Sequence, residues 1–302
     1  KKLYYRLLSE FMLQQTQVQT VIPYFENFTK KFKSLSSLSN CSEKRILKLW
    51  EGLGYYRRAR NLLQTSKILV NNHNSKLPKT LEEIKKLPGV GNYTANALLG
   101  LVYNKPVIAL DGNVKRVFSR IINKKVEQID FDKFIQMNKK KLLRSNRNSD
   151  FVEALMEFGA LICKSKDPKC EVCSLNNVCK YFNSSKKIIS KRNKMIKIKN
   201  YDIFCYLNKK KQIALTKKNN LGFLNEFSLP KIEERNDNFK SKDWKFLKNY
   251  KNFISNKKLN INLYYKFSNK IPNSFTWHSI YNDKQLIPSF TKKIFNQISI
   301  LF

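Results

Sequence analysis

The sequence predicts a mainly α protein in two domains, a helical one of roughly 180 residues followed by a small α+β one. Three observations lead there. Apolar residues recur at three- and four-residue spacing through positions 1–160. Beyond position 200 the period shortens to two. Glycine divides the chain in the same place: Gly52, Gly54, Gly89, Gly91, Gly100, Gly112 and Gly159 come first, and only Gly222 follows.

The helical period covers residues 3–14, 18–32, 46–53, 62–70, 81–87, 93–102, 114–122 and 151–162. These belong to a first domain at 1–182. Residues 183–200 are basic and lack an apolar face, as a linker would. In the domain at 201–302, strands are expected around Ile203, Cys205 and Leu207, around Ile213 and Leu215, and around Leu259, Ile261 and Leu263. An amphipathic helix at 291–298 closes the chain.

The 302 residues carry 59 Lys and Arg against 22 Asp and Glu, a formal charge of +37. Such an excess repels itself and favours a polyanionic partner, nucleic acid before an anionic membrane. Drift towards AAA and AAT codons would produce the same excess, so charge alone names a partner class and no chemistry. A 42% apolar share with 13% aromatic residues excludes a disordered chain. No apolar run approaches the ~18 residues of a membrane span. The start, Lys1-Lys2-Leu3, has neither a Met nor a signal-like core, and a truncated N-terminus is expected from it.

Four of the six cysteines crowd together as Cys163-x6-Cys170-x2-Cys173-x5-Cys179, with Lys164, Lys166, Pro168 and Lys169 inside the loop. Four thiolates in one short loop suit a [4Fe–4S] cubane. A zinc site more often pairs two Cys-x2-Cys knuckles across a longer finger, and ranks second. Inert thiols rank last, because they have no reason to cluster.

Leu87-Pro88-Gly89-Val90-Gly91 lies between two helical stretches. Its glycines permit a hairpin that turns backbone N–H groups outward at a helix start, an arrangement that binds phosphate without side chains. An ordinary helix–helix turn would read the same. Twenty residues on, Asp111 ends the apolar run Val107-Ile108-Ala109-Leu110 and opens a helix. It could be an N-cap alone, or a carboxylate held rigidly beside a DNA-binding hairpin.

In this order the hairpin, the aspartate and the cysteine loop resemble the helix-hairpin-helix DNA glycosylase superfamily, from about Leu3 to Cys179. Two of its iron–sulfur branches are the endonuclease III type and the MutY-type adenine glycosylases. Ser9-Glu10-Phe11-Met12-Leu13-Gln14-Gln15-Thr16-Gln17-Val18 resembles the adenine glycosylase signature, as does the stretch Trp50-Glu51-Gly52-Leu53-Gly54-Tyr55-Tyr56-Arg57-Arg58-Ala59-Arg60-Asn61. Tyr93 stands where the lyase branch has the Lys that attacks the sugar, and a phenol forms no Schiff base. Asn96 departs from the adenine branch, which usually has Gly there.

The resemblance implies a monofunctional adenine glycosylase of base-excision repair. Glu10 would protonate the leaving purine, and Asp111 would stabilise an oxocarbenium-like sugar or add to it. Asn113 and Tyr93 would complete the catalytic group. Gln15, Thr16, Leu53 and Tyr55 would brace the duplex as the adenine leaves the stack. Gly89, Gly91, Lys164, Lys166 and Lys169 would hold the backbone, and Glu153 would contact the extruded base. The second domain is expected to be Nudix-like, without an acidic Nudix box, and to read 8-oxoguanine through Ser255 and Asn256, where the family's histidine is absent. The expected partner is double-stranded DNA with adenine opposite 8-oxoguanine or guanine. The expected state is a monomer in the bacterial cytoplasm, associated with the nucleoid. Two other readings stand beside this one: a related glycosylase for thymine opposite guanine, and a catalytically weak damage sensor.

Overall fold

The computed structural model describes residues 2–143, 146–185, 188, 196–218, 221, 224, 227–235, 243–254, 257–281 and 287–302. The backbone forms two compact units, one of residues 1–49 and 55–191, the other of residues 50–54 and 192–302.

The first unit is helical. It contains α1 (Lys2–Leu13), α2 (Val18–Lys31), α3 (Leu35–Ser39), α4 (Glu43–Leu49), α5 (Arg57–His73), α6 (Leu81–Lys85), α7 (Asn92–Tyr103), α8 (Gly112–Ile122), α9 (Phe131–Leu142), α10 (Asn148–Leu161) and α11 (Lys180–Asn183). On α1 the spacing of three and four buries Tyr4, Leu7, Leu8, Phe11 and Met12, and sinks Glu10 with them at 6% exposure. Side-chain caps open α3, α6, α8 and α9 through Ser34, Thr80, Asp111 and Asp130. At the other end, α5, α7 and α8 stop on left-handed asparagines, Asn74, Asn104 and Asn123. Asparagine is the non-glycine residue that best tolerates that conformation, and in this glycine-poor chain it supplies the stop signal.

Two short-range expectations needed correction. The fourth helix ends at Leu49, because Gly52 and Gly54 at φ +103° and +74° take the chain into a turn. Helix α9 was not anticipated, since its lysine run hides the apolar face. Phe131, Phe134 and Ile135 nevertheless pack on α8, where Phe118 and Phe134 rings lie 5.3 Å apart.

The second unit is a mixed sheet with one helix. Strand β1 (Lys197–Asn208) starts four residues inside the stretch read above as linker. It pairs in parallel with β5 (Lys257–Phe267) along nearly its whole length, and β4 (Lys245–Ile254) lies antiparallel on the far side of β5. The other edge of β1 is shared by β3 (Lys231–Glu234) and β2 (Gln212–Leu215), with β6 (Thr276–Ser279) beyond β2. Ile203, Cys205, Leu207, Leu259, Ile261 and Leu263 are buried as their alternation predicts. Ile294 and Ile298 of α12 (Ser289–Ile298) are buried too. Ser255 and Asn256, the expected lesion readers, lie outside the described residues, between the end of β4 and the start of β5. Among the described residues no helix is long and apolar enough to cross a membrane.

Close approach of α7 to α10 depends on Gly100, where an added Cβ would lie 2.8 Å from Cγ2 of Val152. Val is stiff at that carbon, so Gly100→Ala should cost about 1–3 kcal/mol by overpacking. Adding Val152→Ala should return part of the loss. Thermal melting of both variants tests this, and a silent Gly100→Ala would show that the helices can separate freely.

Candidate active site

Three helix ends build the site. Glu10 lies near the C-terminal end of α1, Tyr93 in the first turn of α7, and Asp111 caps α8. Tyr93 links the two carboxylates: its phenol hydrogen-bonds Glu10 and feels the charge of both acids. Its hydroxyl also lies 4.0 Å from Sδ of Met156 on α10. Burial, then those two acids, push the Tyr93 phenol well above its ordinary range.

Glu10 is the perturbed acid. Burial is the leading cause and lifts its pKa from 4.5 to about 7. The Tyr93 hydrogen bond and the Arg6 cation pull it down, while the Asp111 carboxylate pushes it further up. Arg6 lies one helical turn before Glu10 and forks onto Glu153 of α10, at 2.7 and 2.6 Å. That guanidinium is the cation nearest in chemistry to the buried acid, and sequence reading gave it no role. Glu153, expected to meet the base, is paired with it.

Asp111 does two jobs at once. Its Oδ1 accepts the Val114 amide at 2.6 Å, so it is indeed an N-cap. Its Oδ2 accepts Nδ2 of Asn113 at 3.0 Å. Asn113 is fixed in turn by Arg116, which donates to Asn113 Oδ1 at 3.0 Å, to the Gly159 carbonyl at 2.6 Å and to the Cys163 carbonyl at 2.9 Å. Gly159 must be glycine for this: a Cβ there would sit 2.9 Å from Cβ of Asn113. The cap carboxylate is therefore tied, through two side chains, to the first cysteine of the loop.

Cys163, Cys170, Cys173 and Cys179 are half-buried and line one cavity together with Val117, Ile121, Phe158 and Leu175. Arg120 organises the loop, donating to the carbonyls of Cys163, Lys164 and Ser165 and to Sγ of Cys163 at 3.4 Å. Sγ of Cys179 donates to the Arg120 carbonyl at 3.6 Å. Among the described residues no group of three or more His, Cys, Asp or Glu side chains is placed to hold a metal ion. Lys166 and Lys169 are exposed and Lys164 half-buried.

The hairpin has the expected form. Gly89 turns at φ +77° against Asn61, and Gly91 caps α7 with nothing within 4 Å of a would-be Cβ. Gln14 donates to the Gly89 carbonyl at 3.2 Å and Thr65 to that of Pro88 at 3.0 Å, so α1 and α5 both hold the turn. Gln15 and Tyr55, at φ +56° and +48°, are exposed left-handed residues. Thr16 is half-buried, its hydroxyl donating to the Gln14 carbonyl, and Leu53 is buried.

With that geometry in view, comparison is informative. Residues 8–132 match the HhH-GPD superfamily base excision DNA repair protein family. An adenine DNA glycosylase of Buchnera aphidicola subsp. Baizongia pistaciae is 36% identical over 99% of this chain and 90% of its own length. Its counterpart in Buchnera aphidicola subsp. Schizaphis graminum is 35% identical over 93% of this chain and 80% of its own. The Homo sapiens adenine DNA glycosylase is 35% identical over 57% of this chain and 32% of its own. Among solved structures, a thermostable thymine-DNA glycosylase aligns with a TM-score of 0.52 at 26% identity, over 60% of this chain and 85% of that one. A trapped endonuclease III–DNA covalent intermediate gives 0.51 at 22% identity, over 61% and 85%, and shows the fold.

The buried acid has a thermodynamic consequence. Its folded pKa is raised, so its contribution to stability is complete below the unfolded value of 4.5 and is lost as pH rises through about 7. The loss amounts to about 3 kcal/mol at alkaline pH. Glu10→Gln should therefore raise the melting temperature at pH 8 and change it little at pH 4. An equal shift at both would mean that Glu10 is not desolvated.

Proposed function

Because the chain belongs to the adenine DNA glycosylases, DNA N-glycosylases of base-excision repair, we propose that it excises adenine opposite 8-oxoguanine or guanine in duplex DNA. One observation carries this reading: a carboxyl group whose burial lifts its pKa to about 7 faces a second carboxylate across a tyrosine.

Chemistry assigns the roles. Breaking the bond to an unmodified adenine leaves negative charge on a poor leaving group, and a proton from Glu10 neutralises it. Positive charge then grows on the sugar, within reach of Asp111. Asp111 is preorganised by the Val114 amide and Asn113, so it need not reorient as that charge appears. Asn113 orients the sugar or the attacking water. Tyr93 keeps the two acids apart and offers no amine, which supports base removal without strand cleavage.

Around that centre, the Gly89–Gly91 turn at the start of α7 and the lysines of the cysteine loop take the phosphate backbone. Gln15, Thr16, Leu53 and Tyr55 open the duplex, and the Arg6–Glu153 pair borders the extruded base. The residues fit an iron–sulfur group: Cys163, Cys170, Cys173 and Cys179 share one cavity with apolar walls. A bound [4Fe–4S] cluster would supply four iron–thiolate bonds that fix the loop, and with it the carbonyl that Arg116 holds. The mixed sheet is read as a Nudix-like sensor of the base opposite adenine, and the chain as a monomer in the bacterial cytoplasm at the nucleoid.

A duplex with adenine opposite 8-oxoguanine, incubated with protein and then treated with alkali, should break at the adenine. Glu10→Gln should lower the single-turnover rate by at least about 10²-fold. Undiminished product from that variant would overturn the mechanism. Excision confined to thymine opposite guanine would establish the other specificity, and no excision of any mispair would leave a damage sensor. The wild-type rate should fall as pH rises above about 7, where Glu10 loses its proton. Arg6→Met should move that limb to higher pH by removing a cation that favours the carboxylate.

The metal reading is checked separately. Purified protein should carry iron and visible charge-transfer absorption, and Cys170→Ala should lose both and melt at lower temperature. Zinc in place of iron in the wild type would overturn it.

A further inference from the structure

The C-terminal end of α1 presents a problem that one residue solves. The last carbonyls of a helix have no partner within it, and here the chain turns out of α1 through Gln15, an exposed non-glycine residue at φ +56°. Thr16 N donates to the Leu13 carbonyl. The guanidinium of Arg58, at the start of α5, donates to the carbonyls of Phe11 at 3.3 Å, Met12 at 2.7 Å and Gln14 at 2.5 Å. Arg58 is only 7% exposed, and burial lowers its pKa to about 10, so it is still a cation at neutral pH.

Arg58 also holds a second turn. Its backbone N–H donates to the Tyr55 carbonyl at 2.9 Å, and its guanidinium carbon lies 5.3 Å from the centre of the Tyr55 ring. Tyr55 is the other exposed left-handed residue of this region, at φ +48°. Strained residues of this kind persist only where their surroundings over-determine them. A buried cation is costly to desolvate, and a guanidinium whose Nη1 meets three carbonyls while its plane lies against an aromatic ring is a specific use of it.

We infer that Arg58 is a positioning residue for adenine excision: it locks the Gln15 turn to the Tyr55 turn, so that the two act as one rigid wedge on the duplex. It acts through the two exposed residues. The inference rests on the reading that Gln15 and Tyr55 open the duplex, and the test keeps the two claims apart. Arg places Nη1 among the three carbonyls while its flat guanidinium lies against the Tyr55 ring, and a Lys ammonium could meet carbonyls but offers no plane to that ring.

Single-turnover excision is measured for Arg58→Met, Arg58→Lys, Gln15→Ala with Tyr55→Ala, and the triple variant. Base extrusion is followed by the fluorescence of 2-aminopurine placed at the target adenine. Arg58→Met should slow excision by about 10²-fold, suppress the fluorescence rise, and leave the midpoint of the pH profile unchanged. Arg58→Lys should lie between Met and wild type. In the background lacking Gln15 and Tyr55, Arg58→Met should cost little more. Full, additive loss in that background, or a displaced pH midpoint, would mean that Arg58 merely supports the fold or the acid, and would overturn the inference. Wild-type behaviour of Arg58→Met beside a slow Gln15→Ala, Tyr55→Ala variant would overturn it while keeping the wedge. Wild-type rates from that double variant would remove the wedge itself. Should Arg58→Met fail to fold, Arg58→Lys decides by the same comparison.

Discussion

Burial of the Glu10 carboxyl is the constraint on which the rest of the first unit turns. An acid that must hold its proton near neutrality needs a low-dielectric site, yet it must also meet a substrate delivered from water. On the proposed role, the chain would meet both demands by placing Glu10 in the last turn of a helix whose apolar face is the core. Tyr4, Leu7, Leu8, Phe11 and Met12 exclude water from it. Five residues further on, Gln15 is exposed. The same position explains the cost, since a desolvated carboxyl weakens the fold once it ionises. The role proposed for Glu10 would set function against stability at a single residue.

Helix ends supply most of the remaining chemistry, because they are where backbone groups lack partners. At the start of α8 the unfilled donor fixes Asp111, and the same carboxylate keeps a second oxygen for Asn113. The start of α7 carries Gly91 in place of a side-chain cap, which leaves room for a phosphate. At the end of α1, a buried arginine takes the carbonyls. Each terminus is satisfied in a different way, and each way leaves one functional group correctly aimed. The link from Asn113 through Arg116 to the Cys163 carbonyl extends that logic to the cysteine loop. Ordering the loop would steady the carboxylate some fifty residues earlier in the chain.

Much of this was legible because it is local. Periodicity located most helices, and Glu10, Tyr93 and Asp111 lie within electrostatic reach of one another, with Asn113 bonded to Asp111. Helix α9 escaped because three consecutive lysines mask Phe131, Phe134 and Ile135. The sheet escaped for a different reason. Alternation marks Ile203 and Leu263 as buried, but their parallel pairing joins segments sixty residues apart, and no local pattern encodes a partner. The roles of Arg6 and Arg58 were hidden in the same way. Nothing in a one-dimensional reading shows that one arginine meets Glu153 across 147 positions and the other reaches back 44 to 47 positions.

That point gives the large positive charge a second meaning. Only eleven of the 59 basic residues are arginine. Of the nine the structure describes, Arg6, Arg60, Arg147 and Arg235 pair with carboxylates, Arg58, Arg116 and Arg120 hold backbone carbonyls, Arg45 covers a phenyl ring, and Arg57 is exposed. Codon drift can exchange Arg for Lys on an open surface at little cost, since both present one charge to solvent. It cannot do so where a planar fork bridges several acceptors, because an ammonium cannot reach them together. Arg58, Arg116 and Arg120 therefore persist as internal cross-links while lysine accumulates outside. The net charge and the active site are built from different residues, so the attraction to a polyanion can drift in strength without disturbing the geometry that does the chemistry.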